Sequence, residues 1–134
     1  MTETTIVLMV FLLLVFGMID LGVMVARSQS LAEAARNGAR ASIVRGEFAQ
    51  SPLGPAAIDS VAADSNPVAD ALRQQLVLMD PKEVRISVTW PDGGNKFNQR
   101  VHVTVSADFT PIMTFIFGAP TWTLHGDSEM HIAH

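Results

Sequence analysis

The chain has 134 residues, and its 9 Lys and Arg against 13 Asp and Glu give a formal net charge of -4, which argues against a nucleic-acid partner. It contains no cysteine, which excludes disulfide bonds and thiol chemistry and leaves the redox compartment open. About 108 residues follow an N-terminal apolar segment, so the length allows one small domain beside that segment.

Residues 6–25 form a twenty-residue apolar run that is interrupted only by Asp20. As a helix with a rise of about 1.5 Å per residue, this run is roughly 30 Å long, the thickness of the hydrocarbon core of a bilayer. A cleaved signal peptide is the alternative, but it would need preceding basic residues, a shorter apolar stretch and a small-residue cleavage site. No basic residue precedes this run, and it continues into further helix-forming sequence. We therefore expect a membrane-spanning helix.

Two acidic residues accompany this span: Glu3 lies just before it, and Asp20 lies about five residues before its outer end. Charge within hydrocarbon is costly, roughly 2.5 to 3.5 kcal/mol on insertion scales, so such residues usually have a partner or reach the headgroups. Glu3 is either an ordinary interfacial charge or a paired one. Asp20 either reaches headgroups and water or faces another subunit, and Gly17 and Gly22 beside it would permit close helix contact.

The span passes without a helix breaker into an amphipathic segment, which predicts one helix over about residues 2–44. Arg36 and Arg40 form a charged ladder on its polar face, which is either a solvated surface or an inter-subunit contact. Small residues on the other face, Gly38 among them, would let strand side chains such as Trp90 or Phe109 approach the helix backbone.

The middle of the chain predicts two short helices. The first would cover residues 56–63 and start at Gly54-Pro55. The second has a stronger start, because Asn66 is a good N-cap and Pro67 suits the first helical position. We expect it to end at Asp80-Pro81.

Alternation of apolar and polar residues predicts three strands, over residues 84–90, 101–109 and 122–132. A turn-rich segment at residues 91–95 joins the first two as a hairpin. Gly126 and Ser128 weaken the apolar face of the third strand and indicate a bulge. The expected product is a three-stranded antiparallel sheet with one face packed on the helix.

The connection to the third strand is unusually apolar, with the sequence Ile112-Met113-Thr114-Phe115-Ile116-Phe117-Gly118. It either covers the core or forms an exposed patch. Because exposed apolar patches usually mark contact surfaces, we expect the region of Phe115 and Phe117 to touch a partner subunit.

The sequence does not support an enzyme, a cofactor or a metal site. His125, His131 and His134 lie close in sequence, but on a strand they do not share one face, so no three-ligand geometry follows. Gly93-Gly94 lies in a hairpin and not between a strand and a helix, which disfavours a phosphate-binding loop.

Three N-terminal blocks carry a family resemblance: Glu3-Thr4-Thr5-Ile6-Val7-Leu8, Phe16-Gly17-Met18-Ile19-Asp20-Leu21-Gly22 and Ala34-Ala35-Arg36-Asn37-Gly38-Ala39-Arg40. They resemble the N-terminal signature of TadE-like minor pilins, or pseudopilins, of the tight-adherence (Tad/Flp) pilus system. The resemblance implies an α+β, pilin-like fold, in which residues 1–46 form a transmembrane and assembly helix and residues 47–134 form a small extracytoplasmic domain.

The same resemblance implies a role for the span residues Glu3, Phe16, Gly17, Asp20 and Gly22 in membrane insertion and subunit packing. Glu3 would pair with the free amino group of a neighbouring subunit, exposed after a prepilin peptidase removes a leader. The implied partners are other pilin-like subunits, the pilus assembly machinery and, for the precursor, the lipid bilayer.

Location and orientation also follow from the resemblance. It implies the bacterial inner membrane with the domain outside the cytoplasm, followed by incorporation into a surface pilus. The nearby basic residues all follow the span, so charge alone would place the domain in the cytoplasm. The alternative function is a permanent single-pass membrane protein whose outer domain binds a ligand or partner.

Overall fold

The structure, a computed structural model, describes residues 1–76, 79–118 and 121–133. A long helix, α1 (Thr2–Ile43), is followed by strand β1 (Ile58–Val61), helix α2 (Pro67–Arg73), strands β2 (Val84–Thr89) and β3 (Arg100–Phe109), helix α3 (Thr114–Phe117) and strand β4 (Trp122–His131). The second half of α1 lies over the antiparallel sheet, mainly against β4 and β3. The fold is therefore α+β, with the pilin-like arrangement that was expected.

The sheet has four strands in the order β1-β2-β3-β4, one more than predicted. The three predicted strands are present, and the inward side chains of β3 alternate as expected, with Val101, Val103 and Val105 fully buried. β2 and β3 pair antiparallel, and so do β3 and β4. One face of the sheet thus forms the core and the other remains polar.

The prediction of a helix over residues 56–63 is wrong, because this segment contains β1. Ile58 pairs with Val88 and Val61 with Arg85 along the edge of β2. Without β1 that edge would present unpaired backbone groups, and satisfying them outweighs the weak local preference of a short segment. Gly54 also has φ +81, so the chain is not helical where the predicted helix would begin.

The predicted start of α2 is confirmed. The Asn66 side chain accepts a hydrogen bond of 2.7 Å from the backbone N–H of Ala69, and Pro67 is the first helical residue. Val68 and Leu72 bury the inner face of α2 against α1. The helix ends at Arg73, earlier than predicted, and residues 77 and 78 of the predicted segment lie outside the described residues.

Helix α1 approaches β4 most closely at Gly126. A Cβ at this position would lie 2.4 Å from the backbone carbonyl carbon and oxygen of Leu31, so only glycine allows the helix to rest on the strand. The predicted bulge is wrong, because Gly126 pairs with Val105 in a continuous register. The apolar face of β4 lacks a side chain at Gly126 because the backbone of α1 covers the strand at this position.

The small residues of α1 face the core as predicted. A Cβ at Gly38 would lie 3.2 Å from Cγ1 of Val103 and 3.3 Å from Cγ1 of Val68. The ring of Trp90 lies close to Gly54, and its approach to α1 stays a prediction. At Gly38 the helix therefore packs against side chains of β3 and α2.

The first half of α1 has a different environment. Among the described residues, α1 is the one helix long and apolar enough to cross a membrane, and only 6% of its most apolar window is buried. The core helix of a soluble protein would be mostly buried, so this exposure fits a membrane span. The division of the chain at residue 46 stays a prediction.

Candidate membrane and assembly surface

Asp20 is buried, with 8% of its surface exposed, although it lies in the apolar half of α1. Its two carboxylate oxygens accept hydrogen bonds from the backbone N–H groups of Ile112, at 2.8 Å, and Met113, at 3.0 Å. These amides belong to the connection between β3 and α3. Neither interpretation of Asp20 from the sequence included a partner within the chain.

Gly17 contributes to the same contact from one turn earlier on α1. A Cβ at Gly17 would lie 3.6 Å from the Met113 sulfur, so the loop packs directly on the helix at this point. Residues three apart on a helix share a face, which places Gly17 and Asp20 together under the loop. Two residues of the Phe-Gly-x-x-Asp block therefore join the helix to the connection before α3.

An open apolar cavity of about 360 Å³ lies between α1 and this loop. The helix lines it with Gly17, Asp20, Leu21 and Met24, and the opposite wall consists of Phe109, Pro111, Met113, Phe117 and Trp122. Apart from the Asp20 carboxylate, which is already hydrogen-bonded, the lining offers no ionisable group. The cavity thus suits an apolar occupant.

The helix α3 and its neighbours form an exposed surface that we call the α3 patch: Ile112, Phe115, Ile116, Phe117 and Trp122. The exposed fractions are 91% for Phe115, 62% for Phe117 and 50% for Ile116. Of the two sequence interpretations, an exposed patch is therefore the one observed. A contact of this patch with a partner subunit stays a prediction.

Arg27 follows the apolar run and was not singled out from the sequence. Its guanidinium carbon lies 5.4 Å from the centre of the Phe109 ring, a cation–π distance. Phe109 also lines the cavity, so Arg27 lies beside it on the side away from the N-terminus of α1. The feature of the sequence that could have identified Arg27 is its position just after the span.

Residues 1–40 match the family of TadE-like proteins. Over this N-terminal segment the chain is similar to TadE-like proteins. The match ends inside α1 and includes Gly17 and Asp20, which hold the loop before α3. It indicates a protein associated with the Tad pilus. Comparisons with curated proteins and with solved structures found no match.

Three further residues of the TadE-like segment lie on the part of α1 that stands clear of the sheet. Glu3 is exposed in the first turn, and Phe16 is half-buried. Gly22 faces open space, since none of the described residues comes within 4 Å of a Cβ placed there. Their roles in membrane insertion and subunit packing stay predictions.

The block at residues 34–40 of the TadE-like segment divides between core and surface. Gly38 lies in the core, where it lets Val103 and Val68 approach, so its structural role is within the chain. Arg36 forms an exposed ion pair with Glu33 at 2.7 Å, and Arg40 is exposed in the last turn. An inter-subunit contact of Arg36 and Arg40 stays a prediction.

Beyond the TadE-like segment, charged residues cluster where β2 joins β3. The Arg100 side chain and backbone N–H donate to Asp92 and lower the pKa of that carboxyl from 3.8 to about 2. Arg100 also pairs with Glu129 at 3.5 Å. These contacts close the β2–β3 connection and leave the carboxylate occupied.

Within residues 1–76, 79–118 and 121–133, no group of three metal-binding side chains comes together. His125 and His131 are both exposed on β4. His134, the third histidine considered from the sequence, lies outside the described residues.

Proposed function

We propose that this chain is an accessory, minor pilin-like subunit of a Tad/Flp-type pilus that supports filament assembly and surface attachment through its N-terminal helix. The observation that carries this proposal is a TadE-like segment on a helix whose apolar half is exposed. Such a surface requires either lipid or other apolar helices around it. The role is non-enzymatic and involves no cofactor or nucleic acid.

The proposed sequence of events begins in the inner membrane. The precursor lies with α1 across the bilayer and the sheet domain outside the cytoplasm, and a prepilin peptidase processes it. The assembly machinery then moves α1 from lipid into a bundle with other pilin-like subunits. Glu3 pairs there with the amino group of a neighbour, because a carboxylate among apolar helices needs a cationic partner.

The test uses cells that make the pilus and compares Glu3→Ala with Glu33→Ala. Both glutamates are exposed on α1, but Glu33 already pairs with Arg36 within its own helix. We expect the native chain and Glu33→Ala in sheared filament fractions, and we expect Glu3→Ala to remain in the membrane with fewer filaments on the cell.

A different result would favour the permanent single-pass membrane protein. In that case the native chain stays entirely in membranes after shearing, and cells lacking it make filaments in normal number. Protease added outside the cytoplasm should digest the sheet domain of the precursor. A protected domain would contradict the proposed orientation.

A further inference from the structure

We propose that the α3 patch is an interfacial membrane anchor, which inserts Phe115, Ile116 and Phe117 at the boundary between headgroups and acyl chains while α1 spans the bilayer. The inference rests on the proposed membrane insertion of α1, and it adds a second contact between the chain and lipid. Lipid replaces a partner subunit as the expected occupant of the patch because of where the structure places it along α1.

The hydrogen bonds of Asp20 set the level of the patch along the span. The loop amides lie 2.8 and 3.0 Å from this side chain, so the loop starts level with Asp20, and Met113 reaches one turn further towards Gly17. A hydrocarbon core of about 30 Å that begins at Met1 ends near Asp20, since nineteen residues of helix rise roughly 28 Å. A core that begins at Ile6 would include Asp20. In both cases Ile112 and Met113 lie at or inside the outer boundary, and Phe117 lines the same cavity as Gly17 and Asp20.

The composition of this segment suits that position. Residues 109–124 contain no Asp, Glu, Lys or Arg, although charged residues flank the segment on both sides. Backbone N–H groups at membrane depth need acceptors within the protein. The carboxylate of Asp20 accepts hydrogen bonds from two such groups, those of Ile112 and Met113. Phenylalanine and tryptophan are the side chains that typically occupy membrane interfaces.

The charge next to the patch fits the headgroup layer. Arg27 lies seven residues after Asp20, roughly 10 Å further along the helix, and its guanidinium lies over the Phe109 ring. At that height a cation meets lipid phosphates, while its aliphatic part packs on apolar surface. The apolar cavity beside Phe109 and Phe117 is lined on the helix by residues 17–24, on both sides of Asp20, so acyl chains at this boundary are a suitable occupant.

The absence of native cysteine allows single labelling sites in the full-length chain. We would attach an environment-sensitive fluorophore at Phe115→Cys, with Phe48→Cys as the matched control. Phe48 is also a highly exposed phenylalanine, 81% against 91%, but it lies beyond the opposite end of α1. Leu14→Cys reports on insertion of the span itself.

The labelled chains are reconstituted at about one chain per vesicle in phosphatidylethanolamine and phosphatidylglycerol, with and without brominated lipid. We expect lipid quenching at position 115 to be roughly threefold or more that at position 48, with protection from aqueous iodide. Trp122 of the unlabelled chain gives a second measurement, because Trp90 is buried at the other end of the sheet.

Three outcomes would overturn the anchor. A Leu14 label in lipid with a Phe115 label in water contradicts the anchor and leaves membrane insertion intact. A Leu14 label in water removes insertion and the anchor together. Shielding at position 115 that requires many chains per vesicle identifies a partner subunit as the occupant. Filaments in normal number on cells that lack the chain, with position 115 in lipid, would refute the pilus role alone.

Discussion

Asp20 shows how one residue can be unfavourable in its local sequence and favourable in the folded chain. It is the only charged residue in residues 6–25, and its carboxylate partners lie 92 and 93 positions away. Hydrogen bonds to an ionised acceptor contribute about 1.5 to 3 kcal/mol each, more than neutral ones. Asp20 therefore fixes the loop before α3 to the apolar half of α1.

Replacing this carboxylate should loosen the loop and leave the sheet intact. We expect Asp20→Ala to lower the free energy of local opening of the loop by about 2 kcal/mol, because two part-buried N–H groups lose their charged acceptor. Hydrogen exchange of the Ile112 and Met113 amides in detergent micelles measures this directly. Asp59→Ala, which removes an exposed carboxylate on β1, is the control, and equal exchange in both variants would refute the role of Asp20.

At the scale of elements, the close packing of α1 on the sheet depends on two glycines, Gly126 and Gly38, which have no side chain. At Gly126 the nearest atoms are backbone atoms of Leu31, which cannot rotate away as a side chain can. At Gly38 the neighbours are methyl groups of Val103 and Val68, which can shift slightly. The crossing of α1 over β4 is therefore the less tolerant of the two contacts.

We expect Gly126→Ala to lower the free energy of unfolding by at least about 2 kcal/mol, since the added methyl group forces α1 away from β4. Urea unfolding in micelles, followed by tryptophan fluorescence, measures the change. Gly22→Ala is the control, because its Cβ meets open space and alanine favours a helix by up to about 1 kcal/mol. If the two variants unfold at the same urea concentration, the close approach at Gly126 does not limit packing.

At the scale of the whole molecule, the two halves of α1 have different environments. Its second half contributes Leu31, Ala34, Ala35 and Ala39 to the core, whereas most large apolar side chains between residues 6 and 21 are exposed. Water cannot accommodate such a surface on a monomer without a large hydrophobic penalty. Membrane insertion or helix bundling is thus a property of the folded chain and not only of its hydropathy.

Two exposed aliphatic residues of α1 and its C-terminus test this division. Leu14 is 59% exposed and Val44 is 51% exposed, but only Leu14 lies in the span. We expect Leu14→Arg to reduce the membrane-integrated share of the chain, since arginine costs roughly 2.5 to 3.5 kcal/mol at the centre of an inserted helix. Val44→Arg should leave it unchanged. Extraction of membranes with alkaline carbonate measures the membrane-integrated share of each variant. If the two variants have similar shares, residue 14 lies outside lipid.

The sequence by itself determined the features that depend on residues a few positions apart. These are the continuous helix α1, the Asn66 cap of α2 and the alternating faces of β2, β3 and β4. Helix period, capping and strand alternation are local, so they can be read without knowing what packs where.

The tertiary structure alone decided β1, the crossing at Gly126 and the pairing of Asp20 with the loop before α3. The local sequence favoured a helix for the first, indicated a bulge for the second and left the third open. Each depends on atoms that are distant in sequence. Strand β1 depends on the free edge of β2, and the crossing at Gly126 depends on the backbone of Leu31. The pairing of Asp20 depends on two amides more than ninety residues away. Such contacts form only when the whole chain has folded, which is the physical reason that local patterns do not contain them.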